Sequence, residues 1–185
     1  MSLRNMRIGL RASLSFGVLA SLLVIVGMFG LGKMAKLRES ALVIEQTWMP
    51  SIENIHDSAA LVATVRLESL RLVSTDESRV RDTSRGLITR SSSELQALLK
   101  RHETLLSNDE ERELLKTLKT HVATYLAIVG QMVALVDKDQ QQDALDLLVS
   151  RLAPQGTILS QSLENLIVFN QNGVEAAAQS AAQMY

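Results

Sequence analysis

Residues 114–135 read LLKTLKTHVATYLAIVGQMVAL, and the spacing of their core-type positions decides the fold. Leu114, Leu118, His121, Tyr125, Ile128, Met132 and Leu135 follow one another at alternating steps of four and three. An average step of about 3.5 residues lays one stripe along a helix, the pattern of a bundle seam. The same steps recur outward in both directions. Upstream run Val80, Ser84, Leu87, Ser91, Leu95, Leu98, His102 and Leu105. Before them come Ala41, Ile44, Trp48, Ile52, Ile55, Ala59, Val62, Arg66, Ser69 and Val73. Downstream stand Leu148 and Leu152, then, past Pro154 and Gly156, Leu159, Leu163, Leu166, Asn170, Gly173 and Ala177. Nothing alternates with period two over a useful length, so no sheet is expected.

The stops between these seams are polar. Ser74–Ser78 is a turn, and Ser107-Asn108-Asp109-Glu110 is a second turn, with Ser107 and Glu110 spaced as a capping box. Asp137-Lys138-Asp139 closes the third helix, with Asp139 as the expected N-cap of the fourth and Gln142 as its box partner. Helices are therefore expected over about 33–74, 77–106, 109–136 and 140–185. Pro50 and Pro154 should bend or locally break the first and last of them. Short turns make neighbouring helices antiparallel, so the expected fold is all-α, an up-down-up-down four-helix bundle.

Ahead of the bundle, ASLSFGVLASLLVIVGMFGLG fills 12–32 without one charge. About 21 residues at ~1.5 Å each cover a hydrocarbon core of ~30 Å, which reads as a transmembrane helix. A signal peptide would have a shorter apolar region and a cleavage site, whereas a basic segment, KMAKLRE, follows directly. Arg4, Arg7 and Arg11 precede the span and Lys33, Lys36 and Arg38 follow it, so flanking charge alone leaves orientation nearly tied. The short tail, 1–11, is expected in the cytoplasm and 33–185 outside it. Ser13, Gly17 and Ser21 form a small-residue stripe on which a second membrane helix would pack closely. The long first and last helices of the bundle should reach the same membrane face, and a second span is expected after Tyr185. Two helices alone bury little there, so a homodimer is expected to complete a four-helix stalk.

Composition narrows the function. The chain has 185 residues, no cysteine, 3% aromatics and a formal net charge of -1. No disulfide framework or thiol chemistry is available, and no basic, aromatic-interleaved patch supports nucleic-acid binding. His56, His102 and His121 are scattered over three helices without metal-ligand spacing, so no metal or cofactor is expected. No phosphate loop and no nucleophile–base arrangement is present, and an enzyme is not expected.

Arg66 is the informative residue. It lies 18 residues after Trp48, five helical turns at ~100° per residue, on the stripe read as core-facing. A guanidinium held partly out of water favours a carboxylate partner. Ser69 extends the polar stretch, and Arg71, ~140° away, would face an adjoining subunit. On the last helix Pro154 removes a backbone donor beside Gln155 and Thr157. The candidate site is thus Arg66, Ser69 and Arg71 facing Gln155 and Thr157. The plain alternative is that Arg66 pairs with a local acid such as Glu68, and that Arg71 and Glu68 form a surface ion pair.

Together these features resemble the four-helix-bundle sensor domains of bacterial methyl-accepting chemotaxis receptors. The resemblance covers nearly the whole chain: the basic start MSLRNMRIGLRASLSFG, Trp48-Met49-Pro50-Ser51-Ile52, then Arg66-Leu67-Glu68-Ser69-Leu70-Arg71. It implies an inner-membrane receptor with a periplasmic bundle that binds a small organic acid or amino acid and passes a helix shift to a cytoplasmic signalling module beyond this sequence. In the related aspartate receptors, first-helix arginines and polar groups after a fourth-helix proline bind the ligand. Arg66, Arg71, Pro154, Gln155 and Thr157 are similar to that pattern, but the position of a further arginine, four after Arg71, is Thr75 here. Aspartate itself is therefore not implied. A histidine kinase or diguanylate cyclase output, or a membrane-anchored helical scaffold without a small ligand, stays open as an alternative.

Overall fold

The structure, a computed structural model, describes residues 8–182 and the side chains of 13–182. Arg4 and Arg7, the Arg11 side chain and the last three residues, 183–185, lie outside the described residues. The described residues are helices and short turns without a strand: α1 (Ile8–Val43), a π-helical turn (Ile44–Trp48), α2 (Met49–Ser74), α3 (Ser78–His102), α4 (Asp109–Val136), α5 (Gln141–Leu147), a second π-helical turn (Leu148–Leu152) and α6 (Ala153–Ala182). They divide into two compact units, Ile44–Glu175 and a second unit made by the chain up to Val43 with that from Ala176.

In the second unit α1 is long and apolar enough to cross a membrane, and none of its most apolar window is buried. Within it the Ser21 hydroxyl donates to the Gly17 carbonyl at 2.8 Å, so the small-residue stripe carries a satisfied polar group. Across the first unit, α2, α3, α4 and the α5–α6 rod form the four-helix bundle.

Both prolines stand two residues beyond a π-helical turn, Pro50 after Trp48 and Pro154 after Leu152. Proline cannot donate to the carbonyl four residues back, and its ring crowds that carbonyl. A turn paired five residues apart widens the helix and relieves the crowding. The expected breaks are therefore absent: the helices continue, and the irregular backbone lies upstream of each proline.

Cross-helix contacts fix the topology. Along α4 and α6, Tyr125 packs on Gly156, His121 Nδ1 lies 2.6 Å from Ser162 Oγ, and Asn170 Nδ2 donates to Glu111 Oε1 at 3.1 Å. Numbers fall on one helix as they rise on the other, so the two are antiparallel. Arg66 on α2 meets Gly156, and Trp48, at the end of the π-helical turn that leads into α2, meets Gly173, which makes α2 and α6 antiparallel as well. Ser84 bonds Glu68 across the α2–α3 hairpin at 2.8 Å, and Lys119 bonds Glu103 across α3–α4. The order is up-down-up-down. At one end Arg81 ties the two turns together, donating to the Thr75 carbonyl at 2.8 Å and to Gln141 Oε1 at 3.2 Å.

The apolar core runs through Val62, Val65, Leu72, Leu95, Leu118, Met132, Leu159 and Leu166. Its phase differs from the sequence reading at several places. Ile88, Leu99, Leu115 and Val136 are buried where the neighbouring Leu87, Leu98, Leu114 and Leu135 were expected. On α2 the fully buried position is Val65, and Arg66 is exposed. The caps also move by one residue or more. Asn108, not Ser107, caps α4 by accepting from the Glu111 N–H at 2.9 Å, and Glu111 returns by accepting from the Ser107 N–H at 2.7 Å. Asp139 is not an N-cap: it takes a left-handed φ of 54°. There it closes the end of α4, with the Gln140 N–H on the Leu135 carbonyl and the Asp139 N–H on that of Val136, both at 3.0 Å, as in a Schellman turn.

Two buried carboxylates punctuate the core. Glu68 accepts from Ser84 and from Arg71 Nη1 at 3.0 Å. Glu111 is completely buried and accepts from Ser107 backbone and hydroxyl, His102 Nε2 and Asn170. Burial pushes the Glu111 carboxyl up, but these hydrogen bonds outweigh it and hold it near about 2, against an ordinary 4.5. A depressed carboxylate contributes stability above its unfolded value and loses it as pH falls through the folded one. Urea unfolding should therefore show a loss of about 3 kcal/mol from Glu111 between pH 5 and pH 2. Glu111→Gln should lower stability at neutral pH and remove most of that slope.

Candidate ligand-binding groove

A groove of about 430 Å³ lies between α2 and α6. Ala59, Val62, Ala63, Leu67 and Leu70 from α2 and Leu163 and Ile167 from α6 make it apolar, and Arg66, Glu164 and Ser160 are its polar members. A larger groove between α3 and α4, about 760 Å³, is rimmed by charges. Those charges are already committed: Lys119 to Glu103, Lys116 to Glu113 and Arg112 to Asp109.

Arg66 is differently placed. Glu68, its nearest acid in sequence, is occupied by Arg71 and Ser84. No carboxylate pairs with Arg66 among the described residues. Its guanidinium lies over α6 at Gly156, where an added Cβ would stand 3.0 Å from Nη2 and 3.4 Å from the Tyr125 ring. A larger residue here would displace the mobile end of the Arg66 side chain by a few tenths of an ångström. Arg66 is thus neither in the core, as its stripe implied, nor directed away from the bundle. The guanidinium stands on the rim of the α2–α6 groove against the fourth helix.

The other expected site residues scatter. Gln155 is half-buried and Thr157 exposed, and the Thr157 hydroxyl turns back to the Ala153 carbonyl at 3.4 Å. Both flank Gly156, so the expected meeting of a first-helix arginine with the stretch after Pro154 is present at that glycine. Arg71 is half-exposed in its ion pair with Glu68. Ser69 is fully buried on the core side of α2, its hydroxyl without a protein partner, and does not line the groove.

Tyr125 and Gly156 are the residues that sequence reading missed as neighbours of Arg66. The Tyr125 hydroxyl is buried without a protein partner. Burial pushes its phenol up, and the Arg66 guanidinium pulls in the opposite direction. A tyrosine on a seam gives no sign of this, but a glycine in mid-helix facing an arginine would have been a usable signal. A second glycine acts alike: a Cβ on Gly173 would stand 2.5 Å from the Trp48 ring, which also lies 6.1 Å, centroid to centroid, from Phe169.

A family model described as a four helix bundle sensory module for signal transduction matches residues 5–185. No curated protein matches the chain.

The two glycines should respond oppositely to alanine. Gly156→Ala meets the flexible end of Arg66, so stability should stay within about 1 kcal/mol of the parent, the helix-propensity gain offsetting the displaced guanidinium. Gly173→Ala meets a rigid indole and should cost about 1–3 kcal/mol. Trp48 is the single tryptophan, so its fluorescence should shift red in Gly173→Ala alone, with denaturant midpoints measured on the same samples.

Proposed function

The chain belongs to the four-helix-bundle sensory modules of signal transduction, and we propose that it is the ligand-sensing, extracytoplasmic part of a bacterial chemoreceptor. One observation carries this reading: an arginine left without a carboxylate partner on the rim of an apolar groove between the first and last bundle helices. A guanidinium in such a setting recognises a carboxylate through paired donors. Arg66 is the anchor, with Gln155 and Thr157 as flanking polar contacts. Glu164, the one acid lining the groove, favours a ligand that also carries a cation, so an amino acid suits it better than a simple organic acid. Arg71 is paired with Glu68 and would add charge toward an adjoining subunit only by leaving that pair. Ser69 would reach a ligand only if the helices parted.

The action requires no catalysis. Ligand seated between α2 and α6 shifts the balance between two packings of these helices only as far as it binds one better than the other. A hundredfold preference supplies about 2.7 kcal/mol, enough to reverse a near-balanced pair. In this reading α1 spans the inner membrane with its N-terminus in the cytoplasm, the bundle stands in the periplasm, and a cytoplasmic module further along the protein receives the shift. A kinase or cyclase output would use the same input, and the residues after 185 decide between them. A scaffold without ligand would be served by an apolar core and would need neither buried carboxylate.

The subunit partner is a second copy. His56, Ala60, Ala63, Leu67 and Leu70 repeat at alternating steps of four and three on the side of α2 opposite its buried face, and all are exposed; the last three also line the α2–α6 groove, so a second copy here would border the site. Such a second seam is what a coiled-coil contact between two α2 helices needs. Leu67→Glu should convert a dimer into a monomer in sedimentation velocity of the detergent-solubilised chain. An unchanged sedimentation coefficient would move the interface elsewhere.

For the ligand, thermal unfolding against a panel of amino acids and small organic acids should reveal a stabilising compound. At a hundred times its dissociation constant it should contribute about 2.7 kcal/mol. Arg66→Ala should abolish that shift and Arg71→Ala should reduce it. A ligand whose shift survives Arg66→Ala places the site outside this groove.

A further inference from the structure

The outer seam of α2 extends one step before His56. Glu53 lies three residues ahead of it and is exposed as well, so the alternation of three and four runs unbroken from Glu53 to Leu70. In heptad terms Glu53, Ala60 and Leu67 share one seam position, and His56, Ala63 and Leu70 share the other. Four layers of this seam are apolar. The first two are not: they present a carboxylate and an imidazole in succession.

Neither group is engaged within the chain. Glu53 and His56 form no ion pair and no hydrogen bond among the described residues, and α2 has no Lys or Arg between Met49 and Val65. Residues three apart on a helix are neighbours, with ~5–6 Å between their Cβ atoms. One chain thus supplies a Glu-x-x-His pair, which is too few ligands for a metal, and no group of three or more His, Cys, Asp or Glu is gathered among the described residues. A second copy changes the count. In the dimer proposed above, both copies are anchored in one membrane and related by an axis along its normal, so paired α2 helices run the same way. Each layer then sets a residue against its own copy. Apolar layers gain from this, but the Glu53 layer opposes two carboxylates with no cation of α2 to neutralise them, and like charges held together are unfavourable. With helix axes ~8–10 Å apart, two glutamates and two histidines surround one point on the axis.

We propose that Glu53 and His56 of two copies form a divalent metal site on the dimer axis, with two imidazole nitrogens and two carboxylate oxygens as ligands. A mixed nitrogen and oxygen set of four suits tetrahedral Zn²⁺, at ~2.0–2.2 Å from each ligand. The ion cancels the opposed carboxylates and turns the least favourable layers of the seam into a cross-link. Half of the ligands come from each copy, so metal binding and association are linked: Zn²⁺ favours the dimer by what the second pair of ligands adds. The site rests on the α2-to-α2 pairing and does not depend on what the α2–α6 groove binds.

Sedimentation velocity of the untagged, detergent-solubilised full chain, over a concentration series in Zn²⁺ or in EDTA, tests this beside a calorimetric titration with Zn²⁺. One Zn²⁺ per two chains is expected. At about ten times its dissociation constant, Zn²⁺ should tighten the dimer about tenfold over EDTA. His56→Ala should abolish both effects, and because this side chain is exposed the core is left intact. Glu53→Leu should weaken the response to Zn²⁺ yet pair more tightly than the parent in EDTA, since the opposed charges are gone. A dimer that Leu67→Glu breaks but Zn²⁺ leaves unchanged keeps the pairing and overturns the metal site. A chain that stays monomeric in Zn²⁺ and EDTA alike overturns both. Binding of one Zn²⁺ per chain, or binding that survives His56→Ala, puts the metal elsewhere and overturns the site as well.

Discussion

Two missing Cβ atoms set how α2 and α6 lie together. Gly173 receives the Trp48 ring and Gly156 receives the Arg66 guanidinium. The two large residues are 18 apart along α2 and the turn that leads into it, and the two glycines 17 apart on α6, about five helical turns on each. Each seat admits one side chain at close range, so together they fix the axial register and the spacing of the first and last bundle helices. That register in turn brings Arg66 beside the stretch after Pro154. An ordinary residue at Gly173 would meet the rigid indole and hold these helices farther apart.

Much of this was legible in the sequence because seams and stops obey simple geometry. Four helices, their antiparallel order and the turn over Ser74–Ser78 follow from spacing and from polar breaks. The five-turn relation between Trp48 and Arg66 was also visible, but the surface it faced was misread. Both side chains point at α6, along the boundary of the core and not into it. Adjacent apolar pairs explain the other phase errors. Leu87 and Ile88, Leu98 and Leu99, Leu114 and Leu115, and Leu135 and Val136 each lie ~100° apart, and periodicity alone does not choose between them. Packing against three neighbours does. Caps moved for a similar reason: Ser107 and Asn108 are both competent N-caps, and the buried Glu111 side chain selects the frame. The π-helical turns were out of reach, since a proline announces a disturbed helix but not the way in which the backbone absorbs it.

The candidate site was half legible. Arg66 and the post-proline stretch were found, and they meet. The Arg71–Glu68 ion pair was the plain alternative in the sequence and is present, but spacing alone did not choose between Arg66 and Arg71 for Glu68. Arg71 and Ser84 hold that carboxylate, and this leaves Arg66 without it. Buried acids thus act twice in this bundle. Glu68 withdraws from Arg66, and Glu111 gathers three structural elements around one anion. An all-apolar core would be simpler and as stable, since buried charges seldom add net stability over well-packed hydrophobic groups.

The register of α2 against α6 is the claim on which the groove and its arginine both rest. With no native thiol present, cysteines at Ala59 and Leu163, which line the groove from its two sides, provide a direct gauge under mild oxidation. Rapid and nearly complete disulfide formation within one chain is predicted for this pair. A pair that stays reduced, while Ala59→Cys cross-links to a cysteine at Gly156 or Asn170 instead, would contradict the register and with it the site.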